Sequence, residues 1–191
     1  KFPAAFEDAF ALWDYVQMNS EILKINPNSI ALAGDSAGGM ISATVAHDVR
    51  DKGGIQPAAL CLIYPWVTTS LENQQSIESC ADMFPMTFKI MEFFRNTVFP
   101  DGQNVDHLWA NPLHQDNLRN LPPTIIATAG FDPIRDQGNQ FADLLKKAEV
   151  EVTDYCFSEL PHSFLIFGRI SKAAQKANNI IAQDLSKILN K

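Results

Sequence analysis

Three residues of this chain could together make an oxygen nucleophile. Ser36 lies in Gly34-Asp35-Ser36-Ala37-Gly38, between the apolar run Ile30 to Ala33 and a helical pattern that opens at Ala37. A serine at a sharp strand-to-helix turn is held in a strained backbone conformation, at a cost of about 1–3 kcal/mol. Gly34 and Gly38, two residues before and after it, are expected to make room for the turn. The helix start behind the serine points free backbone N–H groups, beginning with that of Ala37, at any oxyanion formed there. A serine hydroxyl at neutral pH still needs a general base, and the base needs an orienting acid.

The chain offers both further along. Thr124 to Gly130 reads as a buried strand, followed by Phe131-Asp132-Pro133. Val150 to Phe157 reads as another, followed by a loop, Ser158 to Phe164, that carries His162. Each has an ordinary alternative. An Asp before Pro is a good helix N-cap, and a lone histidine in a loop is common. Taken together, the three stand in the order serine, acid, histidine, each at the C-terminal end of a predicted strand. That is the order of an α/β-hydrolase, and reactive groups in open α/β sheets gather at that edge.

Several blocks carry a family resemblance. Gly34-Asp35-Ser36-Ala37-Gly38-Gly39 resembles the GDSAGG signature of the hormone-sensitive-lipase-like esterases. Asp132-Pro133-Ile134-Arg135-Asp136-Gln137-Gly138 resembles that family's D-P-L-R-D-E-G block, and Pro161-His162-Ser163-Phe164 its H-G-F block, with Ser163 in place of the usual glycine. Leu62-Ile63-Tyr64-Pro65, Asn111-Pro112-Leu113 and the opening Phe2-Pro3-Ala4-Ala5-Phe6-Glu7-Asp8-Ala9 also match in place. The resemblance implies Ser36 as nucleophile, His162 as general base and acid, Asp132 as orienting carboxylate, and a carboxylesterase acting on short or medium acyl esters without cofactor or metal. One departure stands out. The family's H-G-G-G segment, whose N–H groups form most of the oxyanion hole, has no counterpart before Ser36. The chain is therefore expected to be the C-terminal part of a family member, with Ala37 N–H the identifiable oxyanion donor.

The elements that must position these groups follow from periodicity. Ala4 to Met18 is helical, with Phe6, Phe10, Trp13 and Val16 on one face. The helix from Ala37 to Lys52 carries Ile41, Val45, Ala46 and Val49, and a strand runs from Ala58 to Tyr64. Residues 66–121 are irregular and read as an insertion, holding a helix from Thr87 to Val98; the family resemblance implies that this region is cap-like, so that its Phe88, Ile90, Met91, Phe93 and Phe94 line an acyl pocket or pack onto the core. Asp132 caps a helix running to Glu149, with Phe141, Leu144, Leu145 and Ala148 inward. A last helix, Ile166 to Leu189, buries Ile170, Ala173, Ala177, Ile180, Ile181, Leu185 and Ile188. Strands alternating with helices predict a single α/β domain, a mostly parallel sheet with helices on both faces. Four strands are predicted where the full fold has eight. The resemblance implies that the Ser36 strand pairs with a strand not in this sequence, so it should present an apolar edge for an upstream segment or a second copy of the chain.

At 191 residues, 46% of them hydrophobic, the chain is long and apolar enough for a globular core. A formal charge of −7 argues against a nucleic-acid partner. No apolar stretch approaches the ~18 residues of a membrane span. The three cysteines, Cys61, Cys80 and Cys156, lack metal-ligand spacing; Cys61 and Cys156 fall in predicted buried strands. The odd count points to a reducing, cytoplasmic setting. Asp35 should turn away from the Ser36 hydroxyl, Asp136 should serve the helix N-terminus, and His47, His107 and His114 are read as structural or surface groups. Two rival readings stay open: a small-molecule-binding module on the same scaffold, and a fragment that holds the triad without an oxyanion hole.

Overall fold

The computed structural model describes residues 1–72 and 74–190. Its frame is a four-stranded sheet in the order β1-β2-β3-β4, with β1 at Ala31–Asp35, β2 at Ala59–Ile63, β3 at Thr124–Phe131 and β4 at Val152–Pro161. Every pairing is parallel. The helices are α1 (Ala4–Met18), α2 (Ser20–Leu23), α3 (Ala37–Asp51), α4 (Gln75–Ser79), α5 (Phe88–Val98), α6 (Arg135–Lys147) and α7 (Lys172–Leu189).

Side-chain alternation along the strands assigns the two faces. Leu60, Leu62 and Ile126 point to one side, where they meet Ala43 and Ala46 of α3 and Phe141 and Leu145 of α6. Cys61, Ile63, Ile125 and Ala127 point to the other, where Ala174, Ala177 and Ile181 of α7 cover them. β2 is buried on both faces along its whole length, as a central parallel strand should be. α1 lies outside α3, with Trp13 against Val45 and Val49. Residues 66–121 contribute α4, α5 and short 3-10 turns. Their Trp66, Ile77, Met86, Met91 and Phe99 form a separate cluster with Phe6, Met40 and Ile134. β1 closes one edge of this sheet, as expected.

Several boundaries differ from the periodic reading. The predicted final helix is broken. Phe164–Arg169 is a 3-10 segment, and α7 starts only after Ser171, whose hydroxyl accepts from Ala174 N–H at 3.3 Å. Ile170 sits in the break and is 83% exposed, so it leaves the buried stripe, and Ala174 takes the inward place expected of Ala173. Cys156 is exposed rather than buried. β4 is an edge strand, and Asp154, Cys156 and Ser158 share its outward face.

Candidate active site

The Gly34 to Gly38 turn is tight because two backbones meet. A Cβ on Gly34 would lie 2.1 Å from the Gly38 carbonyl oxygen. The requirement does not extend to Gly38, where an added Cβ would meet nothing within 4 Å. What Gly38 contributes to the contact is its main chain. Next along, a Cβ on Gly39 would come within 2.6 Å of Pro65 Cβ. Ser36 itself has φ 51° and ψ −121°, a conformation costing on the order of 1–3 kcal/mol for a non-glycine residue. Hydrogen bonds to the end of β2 hold it there. Ser36 N–H donates to Ile63 O at 2.9 Å, and Ser36 O accepts from Trp66 N–H at 3.0 Å.

A register shift brings the acid and the histidine together. Ala129 pairs with Phe157, but Phe131 pairs with Pro161, so β4 has gained two residues on β3. Gly130 permits this, since a Cβ there would lie 2.1 Å from Ser158 O. The shift extends β4 through the segment that the sequence reads as a loop, and Asp132 and His162 each follow directly from paired strand ends.

Asp132 is fully buried and His162 is 2% exposed. His162 Nδ1 lies 2.7 Å from Asp132 Oδ2, and His162 Nε2 lies 3.1 Å from Ser36 Oγ. An ionised carboxylate only accepts, so Nδ1 carries the proton and Nε2 is left to accept from the serine hydroxyl. The other carboxylate oxygen, Asp132 Oδ1, accepts from Ile134 N–H at 2.9 Å. Asp132 therefore caps the turn ahead of α6, and the helix proper begins later, at Arg135. The capping and orienting readings of this aspartate are compatible, because each uses a different oxygen.

Ala37, the residue after Ser36, opens onto an apolar cavity of about 150 Å³. Met40, Ile41, Trp66, Phe94 and Val98 line it from α3, the end of β2 and α5. Phe88, Ile90 and Phe93, three of the aromatic and aliphatic positions expected on the pocket face of α5, are not among its walls, and Met91 is buried in the core.

The remaining polar residues have other partners. Asp136 Oδ2 accepts from Ser76 N–H at 2.7 Å and its Oδ1 pairs with Arg135, which anchors α4 to α6. His107 accepts from Trp109 N–H, and His114 Nε2 lies 3.0 Å from Thr68 Oγ1. His47 is buried in α3, and both its ring nitrogens lack a partner among the described residues. Burial, and next the nearby Arg50 charge, push its pKa down to about 4. Burial likewise raises the Cys61 thiol to about 11. Among the described residues no group of three or more His, Cys, Asp or Glu is placed to hold a metal ion, and no helix is long and apolar enough to cross a membrane.

Motif reading matches Tyr64 within Leu62-Ile63-Tyr64-Pro65 but gives it no role. Its ring centroid lies 4.7 Å from that of His162, and its hydroxyl donates to Asp35 Oδ2 at 3.2 Å. The signal was the Tyr64-Pro65 pair directly after a buried strand.

A family profile described as alpha/beta hydrolase fold matches residues 1–166. The chain belongs to the α/β-hydrolase family. Its blocks place it with the hormone-sensitive-lipase-like members. It is similar to the esterase LipI of Mycobacterium tuberculosis, 34% identical over 183 residues that make up 93% of this chain and 56% of LipI. It is similar too to the carboxylic ester hydrolase LipN of the same organism, at 33% identity over 189 residues, 94% of this chain and 50% of LipN. Among solved structures, the thermostable carboxylesterase EstE1 from a metagenomic library superposes with a TM-score of 0.94 at 30% identity, over 99% of this chain and 65% of EstE1. The chain thus spans about half the length of the curated relatives it matches.

Proposed function

We infer that this chain acts as a serine carboxylesterase on short acyl esters. The observation that carries the reading is the contact series from Ser36 Oγ to His162 Nε2 at 3.1 Å and from His162 Nδ1 to buried Asp132 at 2.7 Å. Ser36 Oγ attacks the ester carbonyl while His162 Nε2 takes its proton. Asp132 holds the imidazole in the right tautomer and offsets the charge it gains. The tetrahedral oxyanion accepts from Ala37 N–H at the start of α3. When the intermediate collapses, His162 gives the proton to the departing alkoxide, and the alcohol leaves. Water then enters, loses a proton to His162 and attacks the acyl carbonyl. The acid departs, and the proton returns to Ser36 Oγ.

The cavity beside Ala37 fits the acyl group. Residues 66–121 act as a cap and supply its Trp66, Phe94 and Val98 walls. An apolar cavity of roughly 150 Å³ holds a molecule the size of benzene, which corresponds to acyl chains of about four to six carbons. The names of LipI, LipN and EstE1 support ester chemistry.

The test is stoichiometric labelling with a fluorophosphonate, with Ser36→Ala as control, beside turnover of p-nitrophenyl butyrate. Labelling at Ser36 together with turnover is the expected result. Folded protein that neither labels nor turns over would overturn the reading. Labelling without turnover would limit it to an activated serine with an incomplete oxyanion hole.

A further inference from the structure

The esterase reading, on which this inference rests, leaves Tyr64 and Asp35 without a role. Tyr64 follows β2 with φ 36°, a left-handed backbone that a bulky residue keeps only where its surroundings hold it. It is 1% exposed. One side of its ring meets His162 with centroids 4.7 Å apart and planes at 56°. Phe164 stands edge-on to it at 5.0 Å and 81°, and Phe157 backs Phe164 at 5.4 Å. The phenol donates to Asp35 Oδ2. Burial first, and the Asp35 carboxylate next, raise the phenol pKa, so it remains a donor. Asp35 adjoins Ser36 in sequence. A path thus runs from the nucleophile turn through Asp35 and Tyr64 to His162, separate from the bond between Ser36 Oγ and His162 Nε2.

We propose that Tyr64, tethered by Asp35, is the positioning residue for His162: its ring is the wall that keeps the imidazole aligned between Asp132 and Ser36. The hydrogen bonds at Nδ1 and Nε2 fix the two ends of the imidazole but not its rotation about the line that joins them, and the packed ring removes this freedom. A shift of about 1 Å in a reacting group costs about 10²-fold in rate.

The experiment compares Tyr64→Phe, Tyr64→Leu, Asp35→Ala and the Asp35→Ala/Tyr64→Phe double variant of this chain. It reads kcat and KM for p-nitrophenyl butyrate, and the His162 Nδ1–H proton by NMR. Tyr64→Leu is expected to lower kcat about 10²-fold with KM within about twofold, and to broaden or shift the Nδ1–H resonance. Tyr64→Phe, which keeps the wall, should recover most of that loss. The losses in Tyr64→Phe and Asp35→Ala should not add in the double variant, because both cut one tether. If Tyr64→Leu does not fold, the Asp35→Ala and Tyr64→Phe cycle carries the test by itself. Wild-type kcat with an unmoved Nδ1–H resonance in Tyr64→Leu would overturn the proposal, as would fully additive losses in the cycle. A wild-type chain that neither labels nor turns over, in which the resonance still moves in Tyr64→Leu and not in Tyr64→Phe, would sustain the positioning role and sink the esterase reading instead.

Discussion

Replacing Asp132 by asparagine tests the site at one atom. The carboxylate serves two donors at once: Oδ2 takes His162 Nδ1–H at 2.7 Å, and Oδ1 takes Ile134 N–H at 2.9 Å. Asparagine has the same shape but only one acceptor oxygen. Ile134 N–H is a backbone donor that cannot adapt, so the single amide oxygen must turn to it. The amide NH₂ then faces His162 and itself donates, which forces Nδ1 to become the acceptor and moves the ring proton to Nε2. The imidazole now presents N–H to Ser36 and cannot take the serine proton. The same substitution in serine proteases costs about 10⁴ in kcat through a wrong tautomer, equivalent to roughly 5.5 kcal/mol of barrier. The same loss is expected here, with KM and melting temperature near those of the parent because no volume changes. p-Nitrophenyl butyrate turnover, fluorophosphonate labelling and thermal unfolding measure all three. A variant keeping more than about a tenth of the parent kcat would refute the argument, because the histidine would then not depend on Asp132 for its tautomer.

Along a p-nitrophenyl ester series, kcat/KM should rise about fourfold per methylene up to about six acyl carbons and then fall. Phe94→Ala, at a cavity wall that is 46% exposed and therefore cheap to truncate, should move the optimum to longer chains; an unmoved optimum would remove α5 from the acyl site. Gly34→Ala should fail to fold or lose several kcal/mol, whereas Gly38→Ala should keep the parent's melting temperature, since only the first Cβ strikes backbone. His47, held near a pKa of about 4 against an ordinary 6.5, is neutral in both states above pH 6.5. Between there and pH 4 only the unfolded chain takes up its proton. About 2 kcal/mol of stability should therefore be lost between pH 7 and 5, and urea unfolding of His47→Leu should show a correspondingly flatter pH dependence.

The candidate site was legible because its residues stand in local patterns. The Ser36 turn needs glycine at 34, an apolar strand before it and a helix after it, all within about a dozen adjacent residues. Asp132 and His162 were placed by strand order and by the family blocks that hold them. The two-residue shift between β3 and β4 was hidden, because register belongs to a pair of strands far apart in sequence. Gly130 was its one local sign. The break at Ile170 was masked by an apolar residue at the right helical phase, although Ser171, an N-cap three residues before Ala174, marked the true start. Cys156 was misplaced because hydrophobicity was weighed without the alternation that sets it beside Asp154 and Ser158. Tyr64, although it stands in a matching block, was left without a role because its contacts cross three chain segments that no spacing rule connects.

Three of the seven described non-glycine residues with positive φ lie at the site's edge of the sheet. Ser36, Tyr64 and Ser163, at φ 51°, 36° and 61°, all lie just past strand ends that meet there. Ser163 is where the family resemblance expects glycine, and its left-handed backbone explains that preference. A left-handed residue with a Cβ costs roughly 1–2 kcal/mol, and its hydroxyl makes no capping bond in return. Ser163→Gly relieves the strain but frees the unfolded chain by about 0.5–1 kcal/mol. The net gain should not exceed about 1.5 kcal/mol, a rise of at most about 6 °C in Tm for a domain of this size. Ser163→Val, β-branched at the same φ, should instead lower Tm and, through the adjoining His162, also kcat. If Ser163→Val melts with the parent, position 163 carries no strain, and its backbone cannot be what sets the histidine at the mouth of the site.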